Sequence, residues 1–238
     1  MNTVATQKTN NIQKRVLLIM SSENKIGISG KLTGTWFEEV ATPYYKMVEA
    51  GFEVVFASPK GGLAPIDLLS MKPPFTTEST GRFAQDPVAN FALANTIPLE
   101  SVEYSQYDAL FFPGGYGLLW DLASNSLVLK MIQDFARVDR PVAMVCHAPA
   151  ILRDAKKDNG EPLVKGKELT GFKNAEDEEV ELLQHLLFSL EDELKLRGAI
   201  YKSKQNWEPN VVIDGFLMTG QSPASAPPLA DALIERLK

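Results

Sequence analysis

Cys146 is the one cysteine in 238 residues, and it stands in Pro141-Val-Ala-Met-Val-Cys-His-Ala-Pro149, where an apolar run breaks into Cys146-His147 and then into small residues and proline. Val142 to Val145 suits a strand buried on both faces. Ala148-Pro149-Ala150-Ile151 suits the first turn of a helix, where proline's missing N–H costs nothing. Cys146 therefore falls at a strand-to-helix turn. Backbone N–H groups at a helix start stabilise an anion, so a thiol held there is expected to ionise more readily than a free one and to act as a nucleophile. A lone cysteine can also be a small buried hydrophobe; the adjacent His147 and the turn chemistry favour the nucleophile.

Two other stretches carry residue types that such a nucleophile would use. In Phe111-Phe112-Pro-Gly-Gly-Tyr-Gly117, Gly114 and Gly115 let backbone N–H groups approach a ligand closely, as an oxyanion hole requires, although Pro-Gly-Gly is also ordinary turn chemistry. Thr33-Gly-Thr-Trp-Phe-Glu-Glu-Val-Ala-Thr-Pro-Tyr-Tyr45 opens a helix with two adjacent carboxylates, Glu38 and Glu39. On a helical period only one of them can face a crevice, so the other is expected to face solvent. A helix dipole alone would also account for the pair. His185, inside Leu182-Leu-Gln-His-Leu-Leu-Phe188, reads as a structural or surface residue. The acids Glu176 to Glu179 read as a helix start, with a pocket role for Glu176 as the alternative.

Positioning these groups needs strands and crossovers. Short apolar runs at Arg15 to Met20, Glu53 to Ser58, Tyr107 to Phe112 and Val142 to Val145 predict strands. Helical spacing covers Thr35 to Ala50 (ending at Gly51), Ser126 to Arg137, and Glu178 to Leu196 (closed by Gly198). The alternation predicts an α/β fold: a flavodoxin-like, open, mostly parallel sheet sandwiched by helices. Asn210 to Thr219, with Asp214-Gly215 at its turn, adds a C-terminal β-hairpin, and a last helix runs from about Pro228 to Leu237. Gly61 to Glu100 reads as an irregular connection over the sheet edge with a short helical patch at Val88 to Leu93. In such sheets the ligand crevice lies at the carboxyl ends of the strands, where the three unusual stretches fall.

Bulk properties narrow the function. With 45% hydrophobic residues, residues 14–238 can bury one α/β core and are expected to form one domain behind a flexible polar tail, residues 1–13. The net charge of −6 and the scattered Lys and Arg residues argue against nucleic acid as a partner. One cysteine forms no intramolecular disulfide, and neither a secretion signal nor a membrane-spanning run is evident, so the expected location is cytoplasmic. No phosphate loop and no His/Cys cluster stands out, so neither a cofactor nor a metal is expected.

Taken together, three separated motifs resemble the ThiJ/PfpI superfamily, with its class I glutamine-amidotransferase-like fold, and within it the glyoxalase III and heat-shock chaperone branch. Thr33-Gly34 through Glu38-Glu39 and Pro43 is similar to the family's acidic helix, Pro113-Gly-Gly-Tyr-Gly117 to its oxyanion loop, and Ala143-Met-Val-Cys-His-Ala-Pro149 to its nucleophile elbow. Gly171-Phe-Lys-Asn174 and Thr219-Gly-Gln-Ser-Pro-Ala-Ser225 resemble family segments near the pocket. The resemblance implies Cys146 as nucleophile, His147 as its neighbouring base, and Glu39 as the carboxyl that meets the sulfur, with Glu38 outward. It also implies a protonated Glu39 and an oxyanion hole built from the N–H groups of Gly115 and His147. Position 116 departs from the pattern: Tyr116 stands where glyoxalase-type relatives often carry histidine, which bears on substrate preference.

The function this resemblance implies is a cofactor-independent glyoxalase that converts methylglyoxal or glyoxal to the hydroxy acid through a Cys146 hemithioacetal, or deglycates their adducts. The partners expected are a small dicarbonyl substrate and a second copy of the chain as homodimer, with no membrane. A redox-sensing holdase chaperone using an oxidisable Cys146 is the alternative from another class, and Tyr116 tilts toward it. A cysteine peptidase is a further alternative. A glutamine amidotransferase is disfavoured, because the only histidine downstream of His147 begins His185-Leu-Leu187 and not a His-x-Glu pair.

Overall fold

The apolar runs become adjacent strands of one twisted sheet. The computed structural model describes residues 13–238; the tail expected over residues 1–13 lies outside them except for Gln13, whose side-chain amide donates to the Gly51 carbonyl. The strands are β1 (Arg15–Ile19), β2 (Glu53–Ser58), β3 (Ile97–Pro98), β4 (Ala109–Phe112), β5 (Val142–Val145), β6 (Glu168–Leu169), β7 (Ile200–Tyr201), β8 (Val211–Asp214) and β9 (Leu217–Gly220). Seven of them form the main sheet in the order β3-β2-β1-β4-β5-β9-β8, and β6 pairs with β7 separately. Every main-sheet pairing is parallel except β8 with β9. That exception is the expected C-terminal hairpin, turning at Gly215, whose φ is 62°.

Side chains alternate along each strand, and the two sets feed two cores. Leu17, Ile19, Leu110, Phe112, Val142 and Met144 pack on one face. Val16, Leu18, Ala109, Phe111, Ala143 and Val145 pack on the other. The helices covering these faces are α1 (Glu38–Glu49), α2 (Glu78–Gln85), α3 (Pro87–Ala94), α4 (Leu118–Asp121), α5 (Ser126–Arg137), α6 (Asn174–Glu179), α7 (Leu190–Leu196) and α8 (Ala226–Leu237). Among the described residues, no helix is long and apolar enough to cross a membrane.

Three expectations need correction. Glu178 to Leu196 is not one helix: α6 stops at Glu179, Glu181 adopts a left-handed backbone with φ 58°, and α7 starts afresh where Ser189 accepts the Asp192 N–H as an N-cap. The segment Gly61 to Glu100 is more regular than expected, holding α2, α3 and the edge strand β3. Helix α2 was hidden because it buries only Thr80 and Phe83. After the elbow, Ala148–Arg153 forms a 3₁₀ segment and not an α-helix.

Candidate active site

Strands β1, β4, β5 and β9 are neighbours, and the chain leaves β4, β5 and β9 at one end of the sheet with Pro113-Gly114-Gly115, Cys146-His147 and Gln221-Ser222. Cys146 has φ 61°, a left-handed conformation that a residue with a Cβ adopts at a cost of about 1–3 kcal/mol. Both of its backbone groups are tied down: its N–H donates to the Gly220 carbonyl at 3.0 Å, and its carbonyl accepts the Phe172 N–H at 2.8 Å. The strained turn is thus held by the next strand on one side and by the Gly171-Phe172 segment on the other.

The glycines allow the loops to close over the sulfur. A Cβ on Gly114 would lie 2.6 Å from the Cys146 Cβ, and one on Gly115, at φ 112°, would overlap the Gly34 carbonyl oxygen. The backbone at Gly34 in turn fits against Ile66. This interlock brings the start of α1 to the β4 loop, where the Trp36 N–H donates to the Gly114 carbonyl at 3.2 Å.

Glu39 is fully buried, and its Oε2 accepts the Gly114 N–H at 2.6 Å. Its Oε1 has no partner among the described residues. Burial raises the Glu39 carboxyl to about 8, so the expected protonated state follows from desolvation beside the sulfur. Burial also pushes the Cys146 thiol well above its usual range. The readily ionised thiol expected from a helix start is therefore not what the fold builds. The elbow continues as a short 3₁₀ segment, and desolvation outweighs the one nearby backbone donor, the His147 N–H.

His147 stands beside the thiol. Its Nδ1 lies 3.4 Å from Cys146 Sγ, and its Nε2 lies 3.1 Å from Asp177 Oδ1. The Tyr116 hydroxyl donates to the same Asp177 oxygen at 3.0 Å, and the imidazole is held between the rings of Tyr116 and Phe172, with centroids 4.3 and 4.5 Å away. Cys146, His147, Asp177 and Tyr116 thus form one continuous hydrogen-bonded chain. Asp177 was missed in the sequence because it stands among four successive acids at a helix start, where the dipole accounts for all of them.

Glu38 also departs from expectation. It is not outward: it is 9% exposed, and its two oxygens accept from Thr42 Oγ1 at 2.7 Å and Thr77 Oγ1 at 2.5 Å, which ties α1 to the N-cap of α2. Glu176 is buried away from the cavity. It accepts the Trp207 N–H at 2.9 Å and the Gln221 side-chain amide at 3.1 Å, so it holds a wall residue in place. His185 sits in a separate 3₁₀ turn, Leu183–His185, apart from the cavity lining.

Gly115, Tyr116, Cys146 and His147 floor a cavity of about 630 Å³. A profile of the DJ-1/PfpI family matches residues 33–236. The chain belongs to the DJ-1/PfpI family. Within that family it is 31% identical to the glutathione-independent glyoxalase HSP31 of Saccharomyces cerevisiae, over 94% of this chain and 98% of the yeast protein. It is 29% identical to glyoxalase 3 of Candida albicans, over 92% and 97%. Among solved structures, the Francisella tularensis rapid encystment protein of 24 kDa superimposes with a TM-score of 0.91 at 32% identity, covering 95% of this chain and all of that one. The C. albicans glyoxalase III structure gives 0.86 at 28%, covering 93% and 96%. The DJ-1/PfpI fold thus spans the whole arrangement from the acidic helix to Ser222.

Proposed function

We propose that the protein is a glutathione-independent glyoxalase of the glyoxalase III type, converting methylglyoxal or glyoxal and water to the 2-hydroxy acid. The observation that carries the reading is the buried thiol placed between a neutral carboxyl, Glu39, and an imidazole backed by Asp177, at the floor of a cavity. The full-length relatives whose names state this activity support it. Residues 14–238 act as one domain on this reading, since one chain supplies every group.

Attack begins with proton transfer from Cys146 to His147 Nδ1 as sulfur bonds to the aldehyde carbon, giving a hemithioacetal. The N–H groups of Gly115 and His147 receive the oxyanion, while Gly114 is already committed to Glu39. The hydrogen on the former aldehyde carbon is then removed as a proton, leaving an enediol, and a proton is returned to the adjacent carbon. Glu39 and His147 are the two groups placed to handle it. The product of this internal redox step is a 2-hydroxyacyl thioester. Water cleaves it to the acid and restores the thiol, so neither an external oxidant nor a free thiol cosubstrate is consumed. A redox-sensor reading uses the same sulfur, and selective oxidation of Cys146 without turnover of dicarbonyls would favour it.

The test is D-lactate production from methylglyoxal without glutathione. Cys146→Ala should fall to background, and Glu39→Gln should lose about 10²- to 10⁴-fold. A wild type inactive on both methylglyoxal and glyoxal would overturn the reading and direct attention to Cys146 oxidation and chaperone assays.

A further inference from the structure

Methylglyoxal, a three-carbon molecule, would occupy only the floor of a cavity of about 630 Å³, a volume typical of sites for much larger ligands. The walls above the sulfur are aromatic. Trp36 meets Phe75 edge to face at 5.2 Å, and Phe172 meets Trp207 at 5.6 Å. Trp207 is held in a left-handed conformation, φ 66°, by its N–H to Glu176 and its indole N–H to Glu179 Oε1 at 2.9 Å.

Three carboxyl groups, those of Glu38, Asp67 and Glu179, share this lining, and neither Lys nor Arg is among the lining residues. Their oxygens are met by uncharged donors: Thr42 and Thr77 at Glu38, Thr33 and the Leu69 N–H at Asp67, Asn206 and Trp207 at Glu179. None of the three forms an ion pair among the described residues. Ser222, which also lines the cavity, is fully buried, and its Oγ has no hydrogen-bond partner among the described residues.

We propose that the site selects 2-oxoaldehydes whose substituent is bulky and positively charged, and discriminates against anionic ones. Aromatic faces attract a cation through their quadrupoles, and carboxyl groups with no cationic partner among the described residues add to that attraction. The same groups repel an anion that meets no basic residue in the lining. This substrate class rests on the glyoxalase reading above, but the charge preference is a property of the cavity and can be measured separately.

The experiment compares kcat/KM for methylglyoxal, phenylglyoxal, para-trimethylammoniophenylglyoxal and para-carboxyphenylglyoxal. The cationic aryl compound should exceed the anionic one by about tenfold or more, equivalent to about 1.4 kcal/mol. Asp67→Asn and Trp207→Leu should each shrink that ratio at least about threefold. Equal rates, or preference for the carboxylate, would overturn the proposal while leaving methylglyoxal turnover intact. In parallel, calorimetry on Cys146→Ser compares phenyltrimethylammonium with benzenesulfonate. If no oxoaldehyde is turned over, the glyoxalase reading falls. Tighter binding of the cation then still supports the charge preference, and equal or weaker binding overturns it.

Discussion

Asp177 decides which nitrogen of His147 is free to take a proton. With its Nε2 hydrogen donated to Asp177 at 3.1 Å, His147 presents an unprotonated Nδ1 to the sulfur 3.4 Å away. The amide of Asn would offer an N–H to Nε2 and favour the opposite tautomer. Asp177→Asn is therefore expected to lower kcat on methylglyoxal by about 10²- to 10⁴-fold, with KM changing far less. Tyr116→Phe should cost only about tenfold, because the ring still packs on His147 while Asp177 loses one of its donors. Steady-state kinetics at neutral pH distinguish the two. A wild-type kcat in Asp177→Asn would remove the aspartate from the proton chain. This also gives Tyr116 a role that the bare sequence did not suggest: it orients Asp177, so its presence is compatible with turnover.

Elements rather than side chains place these groups, and their tolerance to change should follow the interlock at the crevice. Gly115→Ala and Gly160→Ala both put a Cβ on a left-handed backbone, at about 1–2 kcal/mol each. A Cβ at Gly160 meets nothing within 4 Å, whereas one at Gly115 overlaps the Gly34 carbonyl and separates the β4 loop from α1. Urea unfolding should show the smaller loss at Gly160 with activity retained, and a larger loss at Gly115 with kcat/KM falling at least about 10²-fold. Similar activity in the two variants would refute the claim that this contact sets the site. Much of this level was legible in the sequence. The four apolar runs, α1, α5 and the Asp214-Gly215 hairpin follow from periodicity and turn chemistry, and the elbow follows from an apolar strand ending in Cys146-His147-Ala-Pro. What could not be read depends on partners distant in the chain. Glu38 is turned inward by Thr77, 39 residues away, and α2 rests on a few buried contacts; Asp177 reaches His147 across 30 residues. Likewise the thiol's resistance to ionisation is set by how deeply the elbow is buried, a quantity that local sequence does not carry.

For the molecule as a whole, the same burial makes folding stability depend on pH in a direction that can be derived. Glu39, raised from 4.5 to about 8, and Asp121, raised to about 6 by its own burial, bind protons more tightly folded than unfolded. Between the unfolded and folded values the native state holds the extra proton. The stability each contributes is complete below its unfolded value and is lost as pH rises through the folded one. Asp134 and Asp214, lowered where Lys130 and Lys167 donate to them against the opposing effect of burial, act in reverse: their contribution is present above the unfolded value and lost on acidification. Taken over these four carboxyl groups, stability peaks near their unfolded values, at about pH 4, and declines toward about pH 9, with Glu39 contributing up to ~1.4 kcal/mol per pH unit. Urea midpoints measured across that range should fall for wild type and flatten above about pH 6 in Glu39→Gln, which has no proton to lose. Parallel profiles for the two proteins would mean that Glu39 is ionised in the fold. The neutral carboxyl beside the sulfur would then be lost from the mechanism as well, so one stability series tests the protonation state on which the chemistry depends.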